Sequence, residues 1–362
     1  MVIVVYDVAA ESNGAAVVLK DFYHDALRCG RSDLQWVFLT SFDLLKPAET
    51  VSVRCFPKVK RSWLHRLWFE RVELPRILAE LQPDLFISLQ NMPVQGCVCP
   101  QYVYLHQSLQ YCPKRFSILK AEEREMAVRQ GAIGSMIRRS LPMAEHIYVQ
   151  TEWMRRATCQ WIHWPEDRIH VVPMLLDADA VPVRPYTGQN SRVFLYPARA
   201  EGYKNHSVIL EACRYLAARG ETNFRVIFTM DPEDNAYAAR LYQEAAGLPV
   251  DFVGTLSYDE VWAYYSVSTL LFPSYLETCG LPLMEARLAG ARILASDMPF
   301  SHEALDDYPN AEFFPYQDGR ALADCMASVL DAPHYVSVAQ RKTPAGAKLM
   351  EQMLRQFEEE HT

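Results

Sequence analysis

A chain of 362 residues exceeds what one hydrophobic core supports, so two domains of roughly 150 to 200 residues are the natural division. Half of the residues are hydrophobic and 22% are charged, which excludes a disordered or fibrous class, and the net charge of −8 excludes the dominant basic face that a nucleic-acid backbone demands. No apolar run approaches the roughly 18 residues of a membrane-spanning helix, and nine cysteines with only Cys97 and Cys99 close together fit a reducing, cytoplasmic compartment.

The opening run MVIVVYDVAA lacks the basic start and long apolar centre of a signal peptide and reads as a first strand, residues 2–6. Asn13-Gly14-Ala15-Ala16 then leads into a helical period over 17–27. Further strands are expected at 35–39, 85–88, 102–105 and 146–149, with helical periods between most of them. Short apolar runs alternating with longer helical ones point to parallel strands joined by crossover helices. Within this half the stretch 58–71, KVKRSWLHRLWFER, interleaves Lys58, Lys60, Arg61, Arg66 and Arg71 with Trp63, Leu64, Leu67, Trp68 and Phe69. It suits a helix on an anionic surface, and equally a solvated helix that packs its tryptophans inward. Cys97-Val98-Cys99 has no second pair at zinc spacing, so no structural metal is expected.

Residues 1–180 hold 21 Lys and Arg against 20 Asp and Glu, a balance of +1, which leaves −9 for the remainder. Between the halves, 171–186 carries three prolines and no helical period, which marks a linker with its boundary near Asp177. The expected division is 1–177, 178–343 and a C-terminal helix over 344–362, whose Met350, Met353, Leu354 and Phe357 recur at helical spacing. Strands of the second half are expected at 192–197, 225–229, 250–253, 269–272 and 292–295, so the chain contains the doubly wound architecture twice. Ligands of such open sheets bind at the carboxyl ends of the strands.

The run 272–297 leaves a strand, turns, and becomes a helix whose start near Gly280 or Leu281 is marked by Pro282. The backbone N–H groups of Thr278, Cys279, Gly280 and Leu281 then point off the positive end of the helix, an arrangement suited to phosphate. Glu277 stands before that start and Glu285 about one turn inside it, something over roughly 12 Å apart. A nucleotide-sugar diphosphate has a comparable span, ribose at one end and hexose at the other. Two glutamates there also make an ordinary solvated first turn. After strand 192–197 comes Ala198-Arg199-Ala200-Glu201-Gly202-Tyr203-Lys204-Asn205-His206, with Asn205 a candidate N-cap.

Glu277 to Ala286, followed by Ala289-Gly290 and Ala295-Ser296-Asp297, resembles the Glu-x7-Glu signature of the retaining glycosyltransferases of family 4, whose fold is GT-B. Gly254-Thr255-Leu256-Ser257, Leu271-Phe272-Pro273-Ser274 and Arg168-Ile169-His170-Val171-Val172-Pro173 extend the likeness over about residues 146–330. The resemblance implies two Rossmann-like domains facing across a cleft, acceptor on the first and donor on the second, with the C-terminal helix crossing back. It assigns Arg199 and Lys204 to the donor diphosphate and leaving group, Glu277 to the transferred sugar and the anomeric charge, and Glu285 with the turn Thr278–Leu281 to the donor. Gly14 belongs to a shortened form of the family's glycine loop. His106, placed at a strand end, is the candidate for touching sugar or acceptor, and Asn91 a weaker one of the same kind. The implied donor is UDP- or GDP-linked, the acceptor a saccharide or lipid-linked, with no cofactor, no metal and no nucleic acid. Asp177-Ala178-Asp179 fits the string of metal-dependent transferases but lies in the linker. A nucleotide-sugar 2-epimerase of the same fold and a non-catalytic nucleotide-sugar-binding protein are the alternatives.

Overall fold

The first apolar run, VIVVYD, forms strand β1 (Val2–Asp7) and is buried along nearly all its length, as a strand covered on both faces must be. It is followed by α1 (Gly14–Arg28), β2 (Gln35–Thr40), β3 (Val51–Cys55), α2 (Trp63–Trp68) and α3 (Leu74–Leu81). Next come β4 (Leu85–Ser88), β5 (Gln101–Tyr104), α4 (Arg124–Val128) and α5 (Gly134–Ser140). β6 (His146–Val149), α6 (Glu152–Ile162) and β7 (Ile169–Val171) complete the first sheet. The structure, a computed structural model, describes residues 1–10, 14–120, 123–174, 176, 192–332 and 348–361. Asn13, the linker beyond residue 176 with its boundary at Asp177, the Asp177-Ala178-Asp179 string and the start of the C-terminal segment lie outside the described residues.

The first sheet runs β3-β2-β1-β4-β5-β6-β7 with every pairing parallel. Parallel neighbours need crossovers, and these cover the sheet on both faces. On one face Leu19, Phe22 and Tyr23 of α1 pack on Trp36 and Phe38. On the other, Phe69 and Leu74, Ile77 and Leu78 pack on Val4, Tyr6 and Val37. Strand order reverses between β1 and β4, which opens a crevice at their C-terminal ends.

The second sheet is built from β8 (Val193–Tyr196), α7 (His206–Ala218), β9 (Arg225–Phe228), α8 (Ala236–Glu244) and β10 (Val250–Phe252). α9 (Tyr258–Tyr265), β11 (Thr269–Phe272), α10 (Leu281–Ala289) and β12 (Ile293–Ser296) follow, then α11 (Pro299–Leu305), β13 (Ala311–Phe314) and α12 (Gly319–Asp331). Its order is β10-β9-β8-β11-β12-β13, again all parallel. Two doubly wound sheets are therefore present, as expected, with β3, β7 and β13 in addition to the expected strands.

The chain divides into one unit of Met1–Gln107, Gly131–Pro173 and Ala345–Thr362, and a second of Ser108–Gln130 and Met174–Pro344. Segment Ser108–Gln130, which the sequence places in the first domain, goes with the second. There Leu109 and Cys112 are buried against Tyr275 and Leu276, with Phe116 and Met126 packed alongside. The final helix α13 (Leu349–His361) returns to the first unit. Its Met350, Met353, Leu354 and Phe357 enter the core that holds Phe22, Trp36 and Tyr102. Polar contacts edge it, Arg31 to Glu358 and His146 Nε2 to Glu360 Oε2 at 2.8 Å.

The tryptophans of α2 do not pack inward. Ser62 caps this short helix by accepting the His65 N–H, and none of its residues is buried. Trp63, Leu64 and Trp68 are 72%, 58% and 55% exposed, while Val59 and Phe69 on either side anchor the stretch to the core. Among the described residues no helix is long and apolar enough to cross a membrane.

Met353 lies wholly inside the core, so Met353→Ala is expected to lower the stability of the first unit by about 2–5 kcal/mol in chemical denaturation. A change below 1 kcal/mol would mean that α13 adds nothing to that core.

Candidate functional site

Strand order in the second sheet reverses between β8 and β11, so the loops leaving those two strands border the crevice at its switch point. The loop after β8 carries Arg199 and Lys204, and the loop after β11 carries Glu277. Across 73 residues of sequence they bring Lys204 Nζ to 2.7 Å from Glu277 Oε1, with both side chains largely buried. The Lys204 ammonium also stands 5.3 Å from the centre of the Tyr203 ring. Arg199 is exposed at the strand end, and its carbonyl accepts the Glu201 N–H at 2.8 Å.

Hydrogen bonds to backbone carbonyls hold the two loops in register. Tyr203 O accepts the Tyr275 N–H at 3.1 Å and the Ser274 hydroxyl at 3.2 Å. Tyr196 Oη donates to Lys204 O at 2.7 Å, and Ser296 Oγ to Ser274 O at 2.5 Å. Asn205 occupies the N-cap position of α7 but does not cap it. Its backbone is left-handed, φ 61°, and its amide donates to Pro273 O at 3.1 Å and Tyr316 O at 2.7 Å. The side chain thus ties the Lys204 loop to the Glu277 loop.

Helix α10 begins where Pro282 and Gly280 place it, with Gly280 as N-cap at φ 67° and no side chain capping. A Cβ there would stand 3.0 Å from Leu283 Cδ1, in a backbone region that side chains avoid. The turn before it consists of half-buried Thr278 and buried Cys279. Burial pushes the Cys279 thiol up to about 11, although Thr278 and the Leu281 backbone N–H both turn towards it. Cys279 is consequently a neutral thiol beside the helix start, and the Leu281 N–H is drawn to it.

Glu285 lies one turn inside α10, where Tyr265 Oη at the end of α9 donates to Glu285 Oε2 at 3.0 Å. Burial raises this carboxyl to about 7, and the tyrosine hydrogen bond offsets only part of that. Tyr265 was not legible as a site residue, because one aromatic on the buried face of a helix resembles any core tyrosine.

In the first unit, Gly14 opens α1, and a Cβ there would meet nothing within 4 Å. His106 follows β5, where its N–H reaches Asn91 Oδ1 at 2.8 Å and its Nε2 lies 2.9 Å from Leu89 O. A carbonyl can only accept, so Nε2 carries the proton and Nδ1 is left as an acceptor. Burial lowers the affinity of this imidazole for a second proton. Asn91 holds a left-handed backbone, φ 69°, to make its contact. Sequence reasoning missed Asp7 at the end of β1. Its Oδ1 accepts the Ala9 and Ala10 N–H groups at 3.1 and 2.9 Å, and its buried Oδ2 has no partner. Burial raises this carboxyl to about 6. An acid directly after a buried strand was the available signal. Glu145, His146 and Glu360 bring their ligand atoms within 4.8 Å of one another, His146 Nε2 standing 2.8 Å from Glu360 Oε2, with the Arg168 guanidinium 4.0 Å from Glu145 Oε1.

Glu285 supplies a pH-dependent expectation. A carboxyl whose folded pKa exceeds its unfolded value holds its proton more tightly when folded, so stability is fully present below about 4.5 and declines as pH rises towards 7. Glu285→Gln, which cannot ionise, should match the parent near pH 4.5 and exceed it at pH 8 by about 1–3 kcal/mol. Parallel stability curves for the two proteins across that range would contradict the burial argument.

Residues 184–345 match the family model described as glycosyl transferases group 1. A comparison with curated sequences gives no match. Among solved structures, sucrose-phosphate synthase from Thermosynechococcus elongatus is similar at 16% identity over 92% of this chain and 90% of its own, TM-score 0.64. The lipopolysaccharide outer core galactosyltransferase WaaB, in its apo form, is similar at 18% identity over 91% and 89%, TM-score 0.60. Anabaena Alr3699/HepE in complex with UDP and glucose is similar at 15% identity over 91% and 90%, TM-score 0.62. The group 1 pattern thus lies over most of the second unit, on a GT-B fold shared with solved glycosyltransferase structures across nine-tenths of the chain.

Proposed function

We propose that the protein is a retaining, metal-independent glycosyltransferase that moves a hexose from a UDP- or GDP-linked sugar to a saccharide or lipid-linked acceptor, in cytoplasmic steps of cell-surface polysaccharide assembly. The observation that carries the proposal is the Lys204–Glu277 pair, 2.7 Å apart beside the start of α10. A diphosphate at that helix start meets the positive end of the dipole, the Lys204 ammonium and the Arg199 guanidinium. These groups stabilise the charge that develops on the leaving phosphate, which is the work a metal ion does in other transferases. As Lys204 turns to phosphate, the Glu277 carboxylate is released to the sugar hydroxyls and the positive anomeric carbon.

Retention follows from attack on the face the nucleotide leaves. The bond from anomeric carbon to phosphate oxygen breaks, the bond to the acceptor oxygen forms, and the acceptor proton passes to the departing phosphate. Glu285 accepts from the ribose hydroxyls at the other end of the donor, with Tyr265 fixing its rotamer. In the first unit Asp7 Oδ2 and His106 Nδ1 are acceptors for hydroxyls of the second substrate. The complexes of the Anabaena protein with UDP-glucose and with UDP support a UDP-linked donor.

The test begins with thermal shifts against a panel of nucleotides and nucleotide sugars, then donor hydrolysis and transfer. Glu277→Ala is expected to lower kcat at least 100-fold while donor affinity stays within a few fold, a loss of about 3 kcal/mol in the transition state alone. Glu285→Ala is expected to weaken donor affinity about tenfold with a smaller change in kcat. Near-parental turnover in Glu277→Ala sinks the assignment, and conversion of the donor alone to an isomer would favour an epimerase.

The exposed face of α2 supports a further part of the proposal, a peripheral contact with anionic membrane. Trp63, Leu64 and Trp68 offer apolar insertion, while Lys58, Arg61 and Arg71 nearby are exposed cations, each worth about 1 kcal/mol near an acidic leaflet. Neutralising Lys58 and Arg61 together with Trp63→Ser and Trp68→Ser should cut sedimentation with phosphatidylglycerol vesicles at least tenfold. Equal partitioning of parent and variant would remove the membrane from the reading.

A further inference from the structure

The loop between β4 and β5 carries two thiols for which glycosyl transfer has no use. Cys97 Sγ and Cys99 Sγ stand 3.3 Å apart, and Val98 between them is 97% exposed. Gly96, at φ 76°, turns the chain just before the pair. Both sulfurs are half-buried on the edge of the core around Val4, Tyr6 and Phe86, so they are held against a rigid surface with the backbone of Val98 looped out to solvent. The other seven cysteines are also free, and Cys55 among them is exposed.

We propose that Cys97 and Cys99 form an oxidisable dithiol that exchanges with a low-molecular-weight disulfide of the glutathione type to close a disulfide across Val98. The proposal goes beyond the transferase reading and stands independently of it. The closeness of the two sulfurs and the acidity it confers support it. The hydrogen bond between the two sulfurs brings Cys97 down to about 7, and that same bond, with burial and the charge of its neighbour, pushes Cys99 up. The pair therefore ionises first at Cys97, near the ambient pH at which an attacking thiol is most effective. The second thiol is already in place to resolve the intermediate, the usual arrangement of redox-responsive cysteines.

The exchange balances in two steps. The Cys97 thiolate attacks one sulfur of glutathione disulfide, forming a mixed disulfide and expelling one glutathione thiolate. Cys99, losing its proton, then attacks the Cys97 sulfur, forms the Cys97–Cys99 bond and expels the second glutathione thiolate. The two protein thiols give up two electrons and two protons, and one glutathione disulfide becomes two glutathione thiols. The loop affected also carries Asn91, which holds the backbone of His106.

The full chain, reduced, freed of reductant and treated with glutathione disulfide at pH 7.5, is unfolded, alkylated with N-ethylmaleimide and analysed by peptide mass. The expected peptide containing residues 97–99 is two hydrogens lighter, with neither thiol alkylated, while Cys55 carries glutathione or alkyl adducts. In Cys99→Ser a glutathione adduct should persist at Cys97, and in Cys97→Ser reaction at position 99 should be at least tenfold slower. A stable glutathione adduct at Cys97 of the parent chain, or alkylation of both thiols to the same extent as Cys55, overturns the proposal. The parent chain alone decides between these outcomes, whatever the variants do.

Discussion

A lysine and a glutamate 73 residues apart, joined at 2.7 Å with little access to water, set the requirement that the rest of the second unit meets. A largely buried charge without its partner is strongly destabilising, so the two loops must arrive together or not at all. Parallel topology brings them close, because β8 and β11 are neighbours and their C-terminal ends share the switch point. Proximity alone leaves the loops free by several ångströms. The bonds to Tyr203 O and Lys204 O and the two from Asn205 remove that freedom, and the segment Ser108–Gln130 covers Tyr275 and Leu276 from outside. Loops fixed in this way hold both charges beside the helix start, so that only the two side chains turn when a substrate arrives.

Much of this could be read before any coordinates. The strands with long apolar runs were placed to within a residue or so, since burial on both faces leaves an unmistakable composition. β3, VSVRC, was missed because Ser52 and Arg54 give it the look of an exposed segment. β7, IHV, and β13, AEFF, were missed because His170 and Glu312 interrupt their short apolar runs. The helix start at Gly280 was legible because Pro282 and a glycine with positive φ are local requirements. Asn205 was read correctly for position and wrongly for use: its left-handed backbone turns the side chain from its own helix to two distant carbonyls. Distant partners of that kind, Tyr265 with Glu285 and Leu109 with Leu276, leave no mark in the spacing of residues.

The two units were unequally legible for a physical reason. Phosphate recognition rests on backbone geometry, a helix start and a glycine, and such geometry imposes residue types at fixed spacing. Hydroxyl recognition asks only for an acceptor at a strand end, which Asp7, His106 or almost any polar residue can supply. What betrays Asp7 is its environment, a carboxylate oxygen buried without a partner at the end of β1, and environment is visible only in three dimensions.

The charge of the second half, −9 beyond residue 180, stands against a site proposed to bind a diphosphate, and the conflict resolves by distance. Exposed charges more than about 8–10 Å apart are largely screened at physiological salt, while Lys204 and the α10 start act on a bound anion at contact and partly out of water. Many of the acids are moreover engaged by cations at the surface, as Asp251 is by Arg225, Asp324 by Arg219 and Asp307 by Arg287. Glu285, the acid nearest the helix start after Glu277, is the one whose burial favours the neutral form, so near neutral pH it adds little repulsion until a hydroxyl donor arrives to stabilise its charge. Net charge thus governs how the molecule meets others at long range, and the few groups at the switch point govern what it holds.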